Sequence, residues 1–172
     1  QNFSYGFYAN SEADNFECIN CMAQHLTYGY YRVAASIDCV ATCILLVGFY
    51  YGAHVDRCVA FGTFTAIEGV DKVTNCLVSG YNGYKYCDNV YNCAYMGDGT
   101  YPYFHQNGDT VNDSLCVSGR YGYYGRNAGA TISSSYGIST YFASRLGEFN
   151  GHGFGTTYYQ WQNTSTDPIN NE

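Results

Sequence analysis

Apolar positions along the first fifty residues fall into three consecutive patterns. Phe3, Tyr5 and Phe7 alternate with small or polar neighbours, the two-residue period of a strand, so residues 1 to 10 read as an extended amino-terminal arm. Ser11-Glu12-Ala13-Asp14 then has the form of a capping box, in which the serine and the acid satisfy orphan amides at a helix entrance. The spacing predicts a helix from about Glu12 to Tyr28, with Phe16, Ile19, Met22 or Ala23, and Leu26 recurring every three to four residues and Gly29 ending it. A second helix is expected over Arg32 to Val47, on Val33, Ile37, Val40 or Ala41, and Ile44, with Gly48 as terminator.

Two such helices would form a hairpin, and the cysteines would staple it. Cys18 and Cys21 share one helical face, as do Cys39 and Cys43. Pairing Cys21 with Cys39 and Cys18 with Cys43 centres both bridges on the Gly29-Tyr30-Tyr31 turn. A short loop closed by Cys87 and Cys93 is a third expected disulfide, which leaves the pairing of Cys58, Cys76 and Cys116 open. The same C-x2-C and C-x3-C spacing could ligate zinc, but the surrounding text is helix-periodic and apolar rather than turn-like, so no metal is expected.

Beyond Gly48 the pattern changes to short runs of aromatics, Thr and Val between Gly, Asn and Asp, which reads as strands. Asn82-Gly83 has the form of a tight hairpin turn. Val78-Ser79-Gly80 with Gly83-Tyr84 is echoed by Val117-Ser118-Gly119 with Gly122-Tyr123, an echo too short to establish a repeat. The fold class expected is α+β: a disulfide-stapled helical hairpin packed on a mostly antiparallel, Tyr/Gly-rich sheet. Residues 11 to 162 make one domain, and 163 to 172 a polar, mobile tail.

Composition narrows the function. Charged residues are only 12% of the chain, Tyr is its commonest residue at 21, and the formal net charge of −7 would repel a phosphate backbone, so nucleic acid is not an expected partner. The longest apolar run, Val40 to Ala53, is shorter than the ~20 residues that cross a bilayer as a helix, so no membrane span is expected. Nine cysteines and three glycosylation tripeptides, at Asn2, Asn112 and Asn163, point to an oxidising, extracellular location with covalent glycans. Gln1, with no signal segment before it, reads as the start of a trimmed, secreted chain.

No catalytic motif joins His25, His54, His105 and His152, and no cofactor-binding loop is present, so an enzyme is not expected and a secreted hydrolase ranks third among the readings. The tyrosines exceed what one core can enclose. Phe3, Tyr5, Phe7, Tyr123, Tyr124, Tyr158, Tyr159 and Trp161 are therefore expected at interfaces. The leading expectation is a secreted structural glycoprotein that assembles with copies of itself or related subunits into an extracellular filament or coat, partly by strand addition through the amino-terminal arm. The alternative is a secreted module that binds carbohydrate or another ligand through surface aromatics.

Overall fold

After its first turn the chain returns to the same rung every 16 to 21 residues, each time pairing in parallel with the coil before it. The computed structural model describes residues 4–10, 15–42, 44–97, 99, 101–105, 110–118, 121–125, 131–139, 142–145, 148–155 and 161–162. Side chains are described as far as Val117, with Tyr103 alone in the 101–105 strand, and again at Ser135. All described pairings are parallel, and they join 19 strands into one continuous sheet that winds as a β-solenoid.

Three faces make up each coil. The first begins at Tyr5–Tyr8 and Tyr28–Tyr31, and continues through the start of Val47–Asp56, the middle of Val59–Thr74, Leu77–Lys85 and Tyr101–His105. The second stacks Glu17–Ile19, Ala35–Ile37, the end of Val47–Asp56, the end of Val59–Thr74, Asn89–Tyr91 and Thr110–Asn112. The third stacks Met22–Gln24, Val40–Thr42, the start of Val59–Thr74, the start of Leu77–Lys85, Ala94–Met96 and Leu115–Ser118.

The interior is built from columns, one residue per coil. Val55, Val73, Val90 and Val111 form a buried valine column on the second face, each worth roughly 1.5–3 kcal/mol of burial. Ala23, Ala41 and Ala60 line the third face opposite Gly29 and Gly48 on the first. This small-on-small packing keeps the cross-section narrow there. A Cβ on Gly48 would sit 2.6 Å from the Ala66 carbonyl oxygen and 3.3 Å from the Ala41 Cβ, so nothing larger than hydrogen fits.

No helix occurs among the described residues, which overturns the stapled helical hairpin. Residues assigned to the two helices form the strands Glu17–Ile19, Met22–Gln24, Tyr28–Tyr31, Ala35–Ile37 and Val40–Thr42. The misleading signal has a geometric cause. Strands of three or four residues joined by short corners bury Tyr30, Val33, Ser36, Cys39, Ala41 and Ile44, steps of two or three that imitate one helical stripe. The expected antiparallel sheet is likewise replaced by a parallel one, and Asn82-Gly83 lies inside the strand Leu77–Lys85 rather than at a hairpin turn. Half of the internal echo marks the coil: Tyr84 and Tyr123 both pair with Tyr103, whereas Val78 leads through Tyr95 to Cys116, one residue short of Val117.

Candidate functional site

Among the described residues, the corner between the second and third faces repeats one local structure six times. Asn20, Asp38, Arg57, Asn75, Asn92 and Asp113 all adopt left-handed backbone angles, φ between 49° and 56°, and each precedes a cysteine or, after Asp113, Ser114. Asn and Asp tolerate this region best among non-glycine residues, which explains five of the six. Arg57 is held by its partners: Nε and Nη2 donate to the Asp38 carboxylate at 2.7 and 2.9 Å, and Nη1 pairs with Asp56.

The residue after each of these positions turns inward. Cys21, Cys39, Cys58, Cys76 and Cys93 donate Sγ–H to the carbonyl two residues earlier at 3.1–3.3 Å, and Ser114 does the same through its hydroxyl at 2.8 Å. Along the stack, the N–H of Cys39 donates to Cys58 Sγ, that of Cys58 to Cys76 Sγ, that of Cys76 to Cys93 Sγ and that of Cys93 to Ser114 Oγ, at 3.2–3.4 Å. The Ser114 N–H continues the ladder to Ser135 Oγ. These thiols act as buried hydrogen-bonding rungs that satisfy corner amides.

Tyrosines of the first face brace this corner from across the core. The Tyr30 hydroxyl donates to the Cys21 carbonyl at 2.6 Å, Tyr84 reaches the Cys76 and Ala94 carbonyls, both at 3.0 Å, and Tyr103 reaches those of Cys93 and Leu115 at 3.1 and 3.0 Å. Their rings stack along the axis, Phe7 on Tyr30 at 4.9 Å, Tyr30 on Phe49 at 4.6 Å and Tyr84 on Tyr103 at 4.7 Å.

The structure forms none of the expected bridges among Cys18, Cys21, Cys39, Cys87 and Cys93; Cys43 lies outside the described residues. The shared helical faces that suggested the pairings do not exist. Cys21 and Cys39 occupy adjacent rungs of one corner, while Cys87 and Cys93 sit at different corners of one coil. Burial pushes the Cys18 thiol up to about 12 and raises Cys76 and Cys116 as well. Alkylation of the native protein is expected to modify half-buried Cys21 first and to leave Cys39, Cys58, Cys76, Cys93 and Cys116 unmodified until unfolding. Peptide mapping without reduction checks this, and a recovered Cys21–Cys39 crosslink would contradict it.

Outside, the first face carries a second aromatic system. Tyr5 stacks on Tyr28 at 5.3 Å, Tyr28 on Tyr50 at 5.5 Å and Tyr8 on Tyr31 at 5.4 Å, with Tyr31 tilted against Tyr50 at 5.2 Å. Tyr5 and Tyr8 are 41% and 49% exposed, so this cluster opens at the first coil; farther along, the face carries the Glu68–Lys85 ion pair at 2.7 Å. The third face bears an outward column of Met22, Val40, Val59, Leu77, Ala94 and Leu115, apolar throughout and half-buried or exposed.

Burial holds the Tyr28, Tyr30, Tyr50 and Tyr84 hydroxyls above the ordinary tyrosine range, with neighbouring acids, thiols and phenols adding to the shift. An unfolded tyrosine ionises near pH 10, so above that pH the folded chain binds more protons than the unfolded one. The stabilisation is complete below about pH 10 and is lost as pH rises through the folded values. Alkaline titration should therefore show exposed tyrosines ionising first and the buried group ionising only with loss of the β-sheet circular dichroism signal. Simultaneous titration of every tyrosine near pH 10 with the fold intact would refute this.

The other expected sites fall variously. Tyr5 and Phe7 lie in the first strand, Tyr123 and Tyr124 in Tyr121–Gly125, Trp161 in Trp161–Gln162, and Asn112 is half-buried at the end of Thr110–Asn112. Asn2, Phe3, Tyr158, Tyr159 and Asn163 lie outside the described residues. His54 is drawn to Thr74 Oγ1 at 3.2 Å and His25 to the Gln24 amide at 3.0 Å. Among the described residues no three His, Cys, Asp or Glu side chains converge as metal ligands, and no helix is long and apolar enough to cross a membrane. No family model, curated protein or solved structure matches the chain.

Proposed function

We propose that the chain is a structural subunit that stacks end to end with copies of itself into an extracellular filament or coat. The observation that carries this reading is the strand edge of the first described coil. Among the described residues, Tyr5–Tyr8, Glu17–Ile19 and Met22–Gln24 each pair on one side only, with Tyr28–Tyr31, Ala35–Ile37 and Val40–Thr42. Three parallel strands thus present, along one side of the coil, backbone groups that no described residue pairs with, a template for a coil of a neighbouring copy. Such a contact joins unlike ends and does not close, so it propagates as a fibre. The exposed Tyr5 and Tyr8 rings would extend their stack across the junction, and the outward apolar column of the third face suits side-by-side contacts between rods. Secretion and glycosylation belong to this proposal, on the strength of the composition and the tripeptides at Asn2, Asn112 and Asn163.

The test is assembly at rising concentration, followed by light scattering and negative-stain microscopy. Wild-type protein should form rods whose length grows with concentration. Tyr5→Lys combined with Tyr8→Lys places charge on the edge while leaving the buried columns untouched, and should return the protein to single subunits. A wild-type protein that stays monomeric at high concentration, or a double-lysine variant that polymerises equally well, would overturn the proposal.

A further inference from the structure

Six tyrosines meet on the outer side of the first face and at its end, contributed by three successive coils. Tyr5 and Tyr8 lie in the first coil, Tyr28 and Tyr31 in the second, and Tyr50 and Tyr51 in the third, with Tyr5 beside Tyr28, Tyr8 beside Tyr31 and Tyr31 beside Tyr50 in the strand register. Besides the stacks along the axis, Tyr5 touches Tyr8 at 5.1 Å and Tyr31 at 5.2 Å, Tyr28 meets Tyr31 edge-on at 5.4 Å, and Tyr50 lies against Tyr51 at 4.2 Å, all between ring centroids. Each ring therefore has a second phenol within 5.3 Å. Tyr5, Tyr8 and Tyr51 are exposed, so solvent reaches the cluster at both ends. The Tyr51 ring is seated on Gly69, where a Cβ would lie 2.5 Å from Tyr51 Cδ1, and this holds it against the chain.

Two other arrangements in the protein show what sets this cluster apart. Tyr84 and Tyr103 stack at 4.7 Å but are fully buried, with hydroxyls committed to backbone carbonyls, so that pair has proximity without access. Tyr81 is 47% exposed, as open as Tyr8, but the ring stacked on it at 5.2 Å is Phe64, so it has access without a stacked phenol. The six-tyrosine cluster combines both. Two phenol-derived radicals formed within it are neighbours on one scaffold, where their effective concentration far exceeds that of groups on separate molecules.

We propose that this cluster is a site of oxidative modification, at which a one-electron oxidant, a peroxidase charged with hydrogen peroxide, couples tyrosines of adjacent coils into dityrosine. Two phenols each give up one electron and the hydroxyl proton, and the resulting radicals join through ring carbons ortho to the oxygen. Each of those carbons then loses its hydrogen as a proton while its oxygen regains one. One carbon–carbon bond forms and two ring C–H bonds break, and the two electrons and two protons released reduce one hydrogen peroxide to two waters. A bond from Tyr5 to Tyr28 or from Tyr8 to Tyr31 staples the first coil to the second and closes a loop in the unfolded chain. All six rings belong to one chain, so the site does not depend on end-to-end assembly.

The test oxidises the full chain at low concentration, as an equal mixture of unlabelled and heavy-isotope-labelled protein, with a haem peroxidase and hydrogen peroxide. Dityrosine fluorescence follows the reaction. Digestion with trypsin and a glutamate-specific protease then places Tyr5 and Tyr8 in peptide 1–12, Tyr28 and Tyr31 in 18–32, Tyr50 and Tyr51 in 33–57, and Tyr81 in 73–85. Mass spectrometry should find 1–12 linked to 18–32 and 18–32 linked to 33–57, each link carrying a single isotope label and therefore lying within one molecule, while 73–85 stays unlinked. Tyr5→Phe combined with Tyr8→Phe keeps the two exposed rings and removes their hydroxyls. It should abolish the link from 1–12 and leave that between 18–32 and 33–57, and Tyr81→Phe should change neither. The proposal fails if no dityrosine joins these peptides, if the links join differently labelled molecules, or if 73–85 is linked as readily as 1–12.

Discussion

Gly48→Val is expected to abolish cooperative folding. The new Cβ alone would lie 2.6 Å from the Ala66 carbonyl oxygen, a backbone atom held in its own strand, and within 3.4 Å of the Ala60 Cβ. Relief requires the first face to separate from the third over at least two coils, which breaks rungs rather than rotating a side chain. Overpacking a tight core typically costs 1–3 kcal/mol even where neighbours can shift, and against backbone the penalty should exceed about 4 kcal/mol. That is a large part of the roughly 5–15 kcal/mol that stabilises a domain. Thermal unfolding followed by circular dichroism should show no transition for Gly48→Val, while Gly52→Ala, whose Cβ would meet the Val33 carbonyl oxygen alone at close range, should retain a lowered one. A native-like melting curve for Gly48→Val would mean that the two faces are not in contact as described.

Removing the Tyr84 side chain is the second large perturbation, and a pair of variants separates its two roles. Tyr84 is fully buried, stacks on Tyr103 and donates its hydroxyl between the Cys76 and Ala94 carbonyls. Tyr84→Ala should cost about 3–5 kcal/mol, the range for truncating a buried aromatic. Tyr84→Phe keeps the ring and loses only the hydroxyl, while the Cys76 carbonyl keeps the Ala94 N–H, for about 0.5–1.5 kcal/mol. Denaturant midpoints measured at constant slope should fall in that order. If Tyr84→Phe proved neutral, the brace between the first face and the thiol corner would have no energetic content.

The buried positions were legible only in part: Phe16, Ile19 and Met22 of the first expected stripe are exposed, the last two because strands of period two turn them outward. Of the stripe Val33, Ile37, Val40 or Ala41, and Ile44, the residues Val33, Ala41 and Ile44 are buried while Ile37 and Val40 are half-buried, and the buried ones line different parts of a coil rather than one face of a helix. Within a single coil the two arrangements give nearly the same spacing. They separate only when distant segments are laid in register, where Cys21, Cys39, Cys58, Cys76 and Cys93 follow one another at nearly constant intervals, each after a left-handed residue. That interval was a readable signal of a repeat, and pairing the cysteines as bridges concealed it. The aromatic excess on outer faces was anticipated and is present at Tyr5, Tyr8, Tyr28 and Tyr31.

The repeated Asn-Cys or Asp-Cys corner also makes chain length a unit of distance. Each coil begins and ends at the same backbone geometry, so excising residues 58 to 75 would join Arg57 to Cys76 in the conformation that Arg57 and Cys58 already share. A coil contacts only its neighbours, and its loss or duplication leaves the remaining rungs as they were. Every coil added or removed changes the rod by one strand spacing, about 4.8 Å, with little change in width. The protein is in this sense a ruler, graduated by its corners.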